Sequence, residues 1–202
     1  MLMALRDARN WVSFGTELFL THAKDLSGPS ALPRWSRKHL AAHVAANADA
    51  LGNLVHWART GERTPMYASP DQRNADIEAG SRRSEAQLTS WLRDSARSLE
   101  SAMAELTPEQ WQAEVVTAQG RTVTATEIPW LRAREVCVHA VDLGTGLAFA
   151  DLPEAFLSAL VAEIQAKRGL DALPDGPLPD VAAYLAGRPH SLTGVPDLGP
   201  WL

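Results

Sequence analysis

Four stretches of the chain place apolar residues three and four positions apart, which is the spacing of a helix with one buried face. This pattern predicts helices over about residues 4–26, 35–58, 71–106 and 126–143. Turn-forming residues separate them, and Ser36 is a good N-cap for the second helix. Four long helices in succession favour an antiparallel four-helix bundle, so the expected fold class is mainly α.

Two segments depart from the helical pattern. Residues 111–124 contain Gly120 and alternating Val and Thr, which predicts a short hairpin. Prolines crowd the last quarter of the chain, where we expect two helices, near 153–168 and 179–186, and an irregular or stranded end. The sequence therefore predicts a helical bundle over residues 1–146 and a small C-terminal α/β region over residues 147–202.

Composition excludes several classes of partner. The net charge is −5 and no long run is basic, which argues against nucleic acid or a membrane surface as the ligand. No stretch of about 18 apolar residues suggests a membrane helix, and charges interrupt the N-terminal segment, which does not look like a signal peptide. The single cysteine cannot form an internal disulfide, which fits a protein of the reducing cytoplasm. We also expect a small molecule as the ligand, and a monomer or a homodimer as the oligomeric state.

The residues with the clearest chemistry are Glu135 and His139 on the fourth predicted helix. Their four-residue spacing places them on one face, among apolar neighbours that favour burial, and a buried carboxylate needs a partner or a metal. His43, on the apolar face of the second helix, is a candidate third ligand, with His39 as an alternative. Three protein ligands leave one position open on Zn²⁺, as in catalytic sites. The competing interpretations are an acid–base pair on a solvated face and a hydrogen-bonded core histidine.

Cys137 lies two residues from both Glu135 and His139. Two residues turn a helix by about 200°, so the thiol is expected on the other side of the helix from the metal ligands. A reaction that uses a thiol would then take it from outside the protein.

Three blocks resemble the mycothiol-dependent maleylpyruvate isomerase family: Trp35-Ser36-Arg37 with Ala-Ala-His43-Val, residues 134–143, and Ala-Tyr-Leu-Ala-Gly-Arg at residues 183–188. The resemblance spans nearly the whole chain, although the C-terminal region is short for the family. It implies a DinB-like four-helix bundle, a small α/β C-terminal region, and zinc held by His43, Glu135 and His139. It also implies that Arg188 binds the thiol or the substrate.

The implied activity is a zinc- and mycothiol-dependent cis–trans isomerisation, in which the thiolate adds reversibly to the double bond of maleylpyruvate and fumarylpyruvate is formed. Because the substrate carries two carboxylates, the site needs positive charge, from zinc with Arg188 or from Arg82 and Arg83 on the third predicted helix. Three alternatives stay open: a zinc-dependent mycothiol S-transferase, a metal-binding protein without turnover, and a bundle without metal.

Overall fold

The computed structural model of the protein describes residues 5–201. By its internal contacts the chain divides into two compact units, Met1–Thr145 and Gly146–Leu202. This division falls one residue from the boundary expected from composition. The assignment of each unit as an independent domain stays a prediction.

The first unit is a bundle of four long helices with shorter elements inserted between them. The elements of this unit are α1 (Leu5–His22), α2 (Arg37–Thr60), α3 (Pro70–Ser81), α4 (Glu85–Ala104), α5 (Pro108–Trp111), β1 (Glu114–Val116), β2 (Thr122–Thr124), a 3₁₀ turn (Ala125–Glu127) and α6 (Ile128–Asp142). Helix α1 packs mainly on α6, and α2 packs mainly on α4, which confirms the expected mainly α class and four-helix bundle. The expected start of the first helix at residue 4 lies outside the described residues.

The ends of α2 follow its sequence signals. Ser36 caps the helix by accepting a hydrogen bond from the backbone N–H of His39, whose side chain accepts one from the backbone of Ser36 in return. Gly61 ends the helix in the left-handed conformation, with φ at 76°. The N-cap predicted from the sequence is therefore confirmed, and it fixes the register that directs His43 inward.

The third expected helix, over residues 71–106, is wrong as a single element. The structure breaks it into α3 and α4, because Ser84 accepts a hydrogen bond from the backbone N–H of Gln87 and the Gln87 side chain accepts one from the Ser84 N–H. This reciprocal pair starts a new helix. Ser84 and Gln87, three residues apart, form a capping-box signature that is visible in the sequence.

The expected hairpin is confirmed: β1 and β2 pair antiparallel, with Val115 opposite Val123 and Gly120 in the turn at φ 77°. The second unit contains a 3₁₀ turn (Phe149–Asp151), α7 (Glu154–Arg168) and α8 (Leu178–Leu185). The strand content expected of an α/β region is not found, since residues 146–201 form no strand. Prolines explain this, because each lacks the N–H that a strand ladder needs.

No helix between residues 5 and 201 has both the length and the apolar character needed to cross a bilayer.

Helices α1 and α6 approach closely at Gly15. A Cβ atom at this position would lie 2.6 Å from Sγ of Cys137 and 2.6 Å from Cγ2 of Val136, well inside contact distance. Gly52 on α2 offers a contrast, because a Cβ there meets no atom within 4 Å. The glycine at 15 is therefore required for packing, whereas the one at 52 is not.

We expect Gly15→Ala to lower the free energy of unfolding by roughly 1–3 kcal/mol, since the added methyl group overpacks the helix crossing. Gly52→Ala should instead stabilise the protein by roughly 0.5–1 kcal/mol through helix propensity. Urea unfolding of the two variants measures both values. Equal effects of the two substitutions would contradict the close packing at Gly15.

Candidate metal centre

Side chains from α2 and α6 bring three potential ligand atoms together inside the first unit. Nε2 of His43 lies 2.8 Å from Oε2 of Glu135, and Nε2 of His139 lies 3.3 Å from the same oxygen. One atom from each residue can be chosen so that all lie within 4.8 Å of one another. The three residues singled out from the sequence therefore form one cluster.

The local sequence explains how the cluster is buried. Glu135 and His139 stand one turn apart on α6, and His43 lies on α2, which contacts α6. Small side chains on both helices allow this close approach, and five of them are fully buried: Ala41, Ala42, Ala45, Ala133 and Ala140. The two imidazoles are almost completely enclosed, whereas the Glu135 side chain keeps 14% of its surface exposed. The cluster is thus reached from the side of Glu135.

Asp142 fixes the orientation of His139. Its Oδ2 lies 2.8 Å from Nδ1 of His139, and Asp142 is itself only 1% exposed. Because this carboxylate accepts a hydrogen bond from the N–H at Nδ1, Nε2 is the ring atom that faces the cluster. In metal sites, the ring nitrogen that does not bind the metal commonly donates to a carboxylate in this way. No role for Asp142 was expected from the sequence, although its spacing of three residues from His139 on one helix is a usable signal.

Burial and mutual contact set the charges of the cluster. Burial lowers the pKa of His43, and the Glu135 carboxylate offsets this only in part. Burial acts against the charged form of His139 as well, but hydrogen bonds to Asp142 and Glu135 outweigh it and raise its pKa to about 9. For Glu135 burial alone would raise the pKa, and the charge of His43 with hydrogen bonds from both imidazoles holds it well below its usual range. In the absence of a metal, these shifts leave Glu135 ionised and His139 as a positively charged imidazolium at neutral pH.

The geometry suits a small divalent cation. Ligand bonds of about 2.1 Å in a tetrahedral arrangement separate neighbouring ligand atoms by about 3.4 Å. The two separations from Oε2 of Glu135, 2.8 and 3.3 Å, lie near that value, and all three ligand atoms lie within 4.8 Å of one another. Two imidazole nitrogens and one carboxylate oxygen are also a donor set that Zn²⁺ accepts in catalytic sites.

A cavity of about 490 Å³ opens beside the cluster, within the first unit. His43 and Glu135 line it, together with Tyr67 and the hairpin turn at residues 116–120. Its charged lining otherwise consists of three arginines, Arg63, Arg73 and Arg134. With three guanidinium groups and one carboxylate on its wall, the cavity favours an anionic ligand.

Comparison with known proteins identifies the family of the chain. The family described as Mycothiol maleylpyruvate isomerase N-terminal domain matches residues 16–144. The chain belongs to the mycothiol maleylpyruvate isomerase family.

Two solved structures extend the similarity beyond the matched segment. A crystal structure of the mycothiol-dependent maleylpyruvate isomerase superposes with a TM-score of 0.89 at 36% sequence identity, over 98% of this chain and 98% of that chain. A second crystal structure, of a histidine-to-alanine variant of a mycothiol-dependent maleylpyruvate isomerase, gives the same values. No curated protein sequence matches the chain.

Two arginines that the sequence suggested for binding, Arg82 and Arg83, do not lie at the cavity beside the cluster. Arg82 hydrogen-bonds Oε1 of Glu78, and the Arg83 guanidinium lies 4.1 Å from the ring centroid of Trp91. Neither residue lines the cavity with His43, where the structure places arginines that the sequence analysis missed. A role of Arg82 and Arg83 in binding thiol or substrate stays a prediction.

Arg188 belongs to the second unit, where it follows α8. It is 7% exposed, and its Nη1 donates to the backbone carbonyl of Ala186 at 2.6 Å. This contact caps the end of α8 and fits a structural function of the guanidinium. The binding role implied by the resemblance stays a prediction.

The two other residues considered near the site have defined environments. His39 bonds Ser36 through Nδ1 and Glu78 through Nε2 at 3.2 Å, so both ring nitrogens already have partners. Cys137 points its Sγ toward the carbonyl of Trp11, 3.7 Å away, and burial raises its pKa to about 12. An inert thiol facing α1 agrees with the expectation that Cys137 is not the reactive thiol.

The raised pKa of His139 predicts how stability depends on pH in the metal-free protein. A group with a folded pKa of about 9 and an ordinary value of 6.5 stabilises the fold below pH 6.5 and loses that contribution as pH rises through 9. We expect chelated protein to lose roughly 1–3 kcal/mol of unfolding free energy over this range. The His139→Gln variant should lack this slope in urea unfolding. A wild-type protein of constant stability over the same range would contradict the charge assignment.

Proposed function

We propose that this protein is a zinc- and mycothiol-dependent isomerase that converts maleylpyruvate to fumarylpyruvate by reversible addition of the thiol. His43, Glu135 and His139 are the proposed zinc ligands. The observation that carries this proposal is the His, Glu, His cluster beside an arginine-lined cavity, in a chain 36% identical to the mycothiol-dependent maleylpyruvate isomerase over 98% of its length.

Zinc bound at the cluster would supply Lewis-acid chemistry that favours the thiolate form of an incoming thiol. The protein residues hold its ligands in place. Asp142 keeps Nε2 of His139 directed at the cluster, and the carboxylate of Glu135 supplies one negative charge that the two imidazoles do not. Since Cys137 is buried against α1, the thiol must enter from outside through the cavity.

The cavity supports a dianionic substrate. Guanidinium groups of Arg63, Arg73 and Arg134 line it, and a guanidinium can bind a carboxylate through two parallel hydrogen bonds. Burial and the negative charge of Glu135 raise the pKa of Tyr67, which lies in the same cavity and stays a neutral hydrogen-bond donor. A low-molecular-weight thiol stays reduced in the cytoplasm, so dependence on such a thiol supports a cytoplasmic location. This location is part of the proposal.

We expect His43→Ala to lose zinc and activity together, because one of only three protein ligands is removed. The matched control is His39→Ala on the same helix, which should keep both, since the His39 ring nitrogens contact Ser36 and Glu78 instead. Metal analysis of the purified variants and conversion of maleylpyruvate with added mycothiol measure the two properties.

Two results would contradict the proposal. If His43→Ala keeps its zinc while His39→Ala loses it, the ligand assignment is wrong. If the zinc-loaded wild type forms no fumarylpyruvate but joins mycothiol to another electrophile, the protein is an S-transferase.

For Arg188 we propose a role in binding an anionic group of thiol or substrate. We then expect Arg188→Lys to keep zinc content and thermal stability while losing most of its catalytic efficiency, because lysine cannot form two parallel hydrogen bonds. A variant that melts early, with normal activity per folded molecule, would instead assign Arg188 to the α8 cap described above.

A further inference from the structure

Arg73 is the cavity arginine in direct contact with the ligand cluster. Its Nη2 lies 3.3 Å from Nδ1 of His43, and its Cζ lies 5.8 Å from the ring centroid of Tyr67. It also lines the cavity of about 490 Å³ that reaches Glu135. An anion bound to this guanidinium therefore lies beside the cluster.

A chain of hydrogen bonds holds the Arg73 guanidinium at this place. Arg73 and Asn47 both lie close enough to the phenol of Tyr67 to offset part of the rise in its pKa through hydrogen bonding. Asn47 in turn accepts a hydrogen bond from Nη1 of Arg132 at 2.9 Å through Oδ1. Arg132 is 1% exposed and also donates to the carbonyl of Val44 at 2.7 Å. Buried residues of the bundle core thus hold the phenol of Tyr67 in place, and the phenol contacts the Arg73 guanidinium.

The contacts of Arg73 leave part of its hydrogen-bonding capacity available. The guanidinium meets the side chains of Asn74, Tyr67 and His43 within the described residues. A guanidinium has five N–H donors, so at least two stay available for a ligand. Arg73 is only partly buried, and a small molecule in the cavity can reach it.

We propose that Arg73 binds one carboxylate of the substrate beside the ligand cluster, and that Tyr67 is the positioning residue that holds its guanidinium there. The inference rests on the proposed function and names the residue that makes the site select dicarboxylates over monocarboxylates. Planar guanidinium and carboxylate groups match in two parallel hydrogen bonds, which gives such a pair its specificity.

Equilibrium binding of an unreactive anion tests the proposal without any turnover. Adipate has two carboxylates and no double bond to isomerise, and hexanoate is its monocarboxylate counterpart of equal length. We expect calorimetry of the zinc-containing protein to show tighter binding of adipate. Arg73→Gln should weaken adipate binding at least about tenfold, the effect of losing a charged hydrogen-bond partner, and should remove most of the preference over hexanoate.

Two variants serve as controls. Arg97→Gln removes the same charge from an exposed position on α4, where Arg97 pairs with Asp94 outside the cavity, and adipate affinity should change less than about twofold. Arg73→Lys keeps the charge but not the planar fork, so it should recover only part of the affinity. If Arg73→Gln retains its zinc and its preference for adipate, the proposal is overturned.

A double-mutant cycle tests the positioning role of Tyr67. Tyr67→Phe should weaken adipate binding several-fold in the wild-type background and have no further effect when Arg73 is already Gln, because the two substitutions remove one interaction. Equal losses in the two backgrounds would show that the phenol supports the fold alone and would overturn its positioning role.

The binding experiment also separates this proposal from the proposed function. Adipate binding that depends on Arg73, in a protein that does not isomerise maleylpyruvate, would refute the isomerase assignment and support the anion site. Isomerase activity with an unchanged KM in Arg73→Gln would refute the anion site and leave the isomerase assignment in place.

Discussion

The carboxylate of Glu135 lies between two imidazoles in the interior of a helical bundle, and the arrangement of the first unit depends on this contact. A buried charge is costly unless groups of opposite or adaptable charge surround it, and removing one partner leaves that cost in full. His43 and His139 supply those partners from two helices, and Asp142 in turn holds the protonated His139. The same contacts that stabilise the carboxylate arrange three ligand atoms around one point.

This arrangement explains why the ligand cluster and the cavity occur together. In the proposed function, three protein ligands would leave one coordination position for an incoming thiol, and the exposed side of Glu135 faces the cavity from which the thiol would enter. The wall of the cavity is rich in arginine although the whole chain has a net charge of −5. Local charge, and not the overall balance, therefore decides which ligand the site favours.

The sequence predicted the parts of the structure that depend on local spacing. Glu135 and His139 share a face because they are four residues apart, and Ser36 starts α2 by its own hydrogen bond. Arg73 has no such signal, because it reaches His43 only through the packing of α3 on α2, and Tyr67 joins the cavity from the loop before α3. Arg82 and Arg83 lie between the end of α3 and the capping pair at Ser84 that starts α4, and neither lines the cavity.

X-ray absorption at the zinc edge of the purified protein tests the central claim most directly. The account predicts a coordination shell of nitrogen and oxygen that includes two imidazoles and lacks sulfur. Addition of mycothiol should then introduce one zinc–sulfur distance of about 2.3 Å. A sulfur ligand before any thiol is added, or a shell without imidazole, would contradict the assignment of His43, Glu135 and His139 as the ligands that hold the metal for an external thiol.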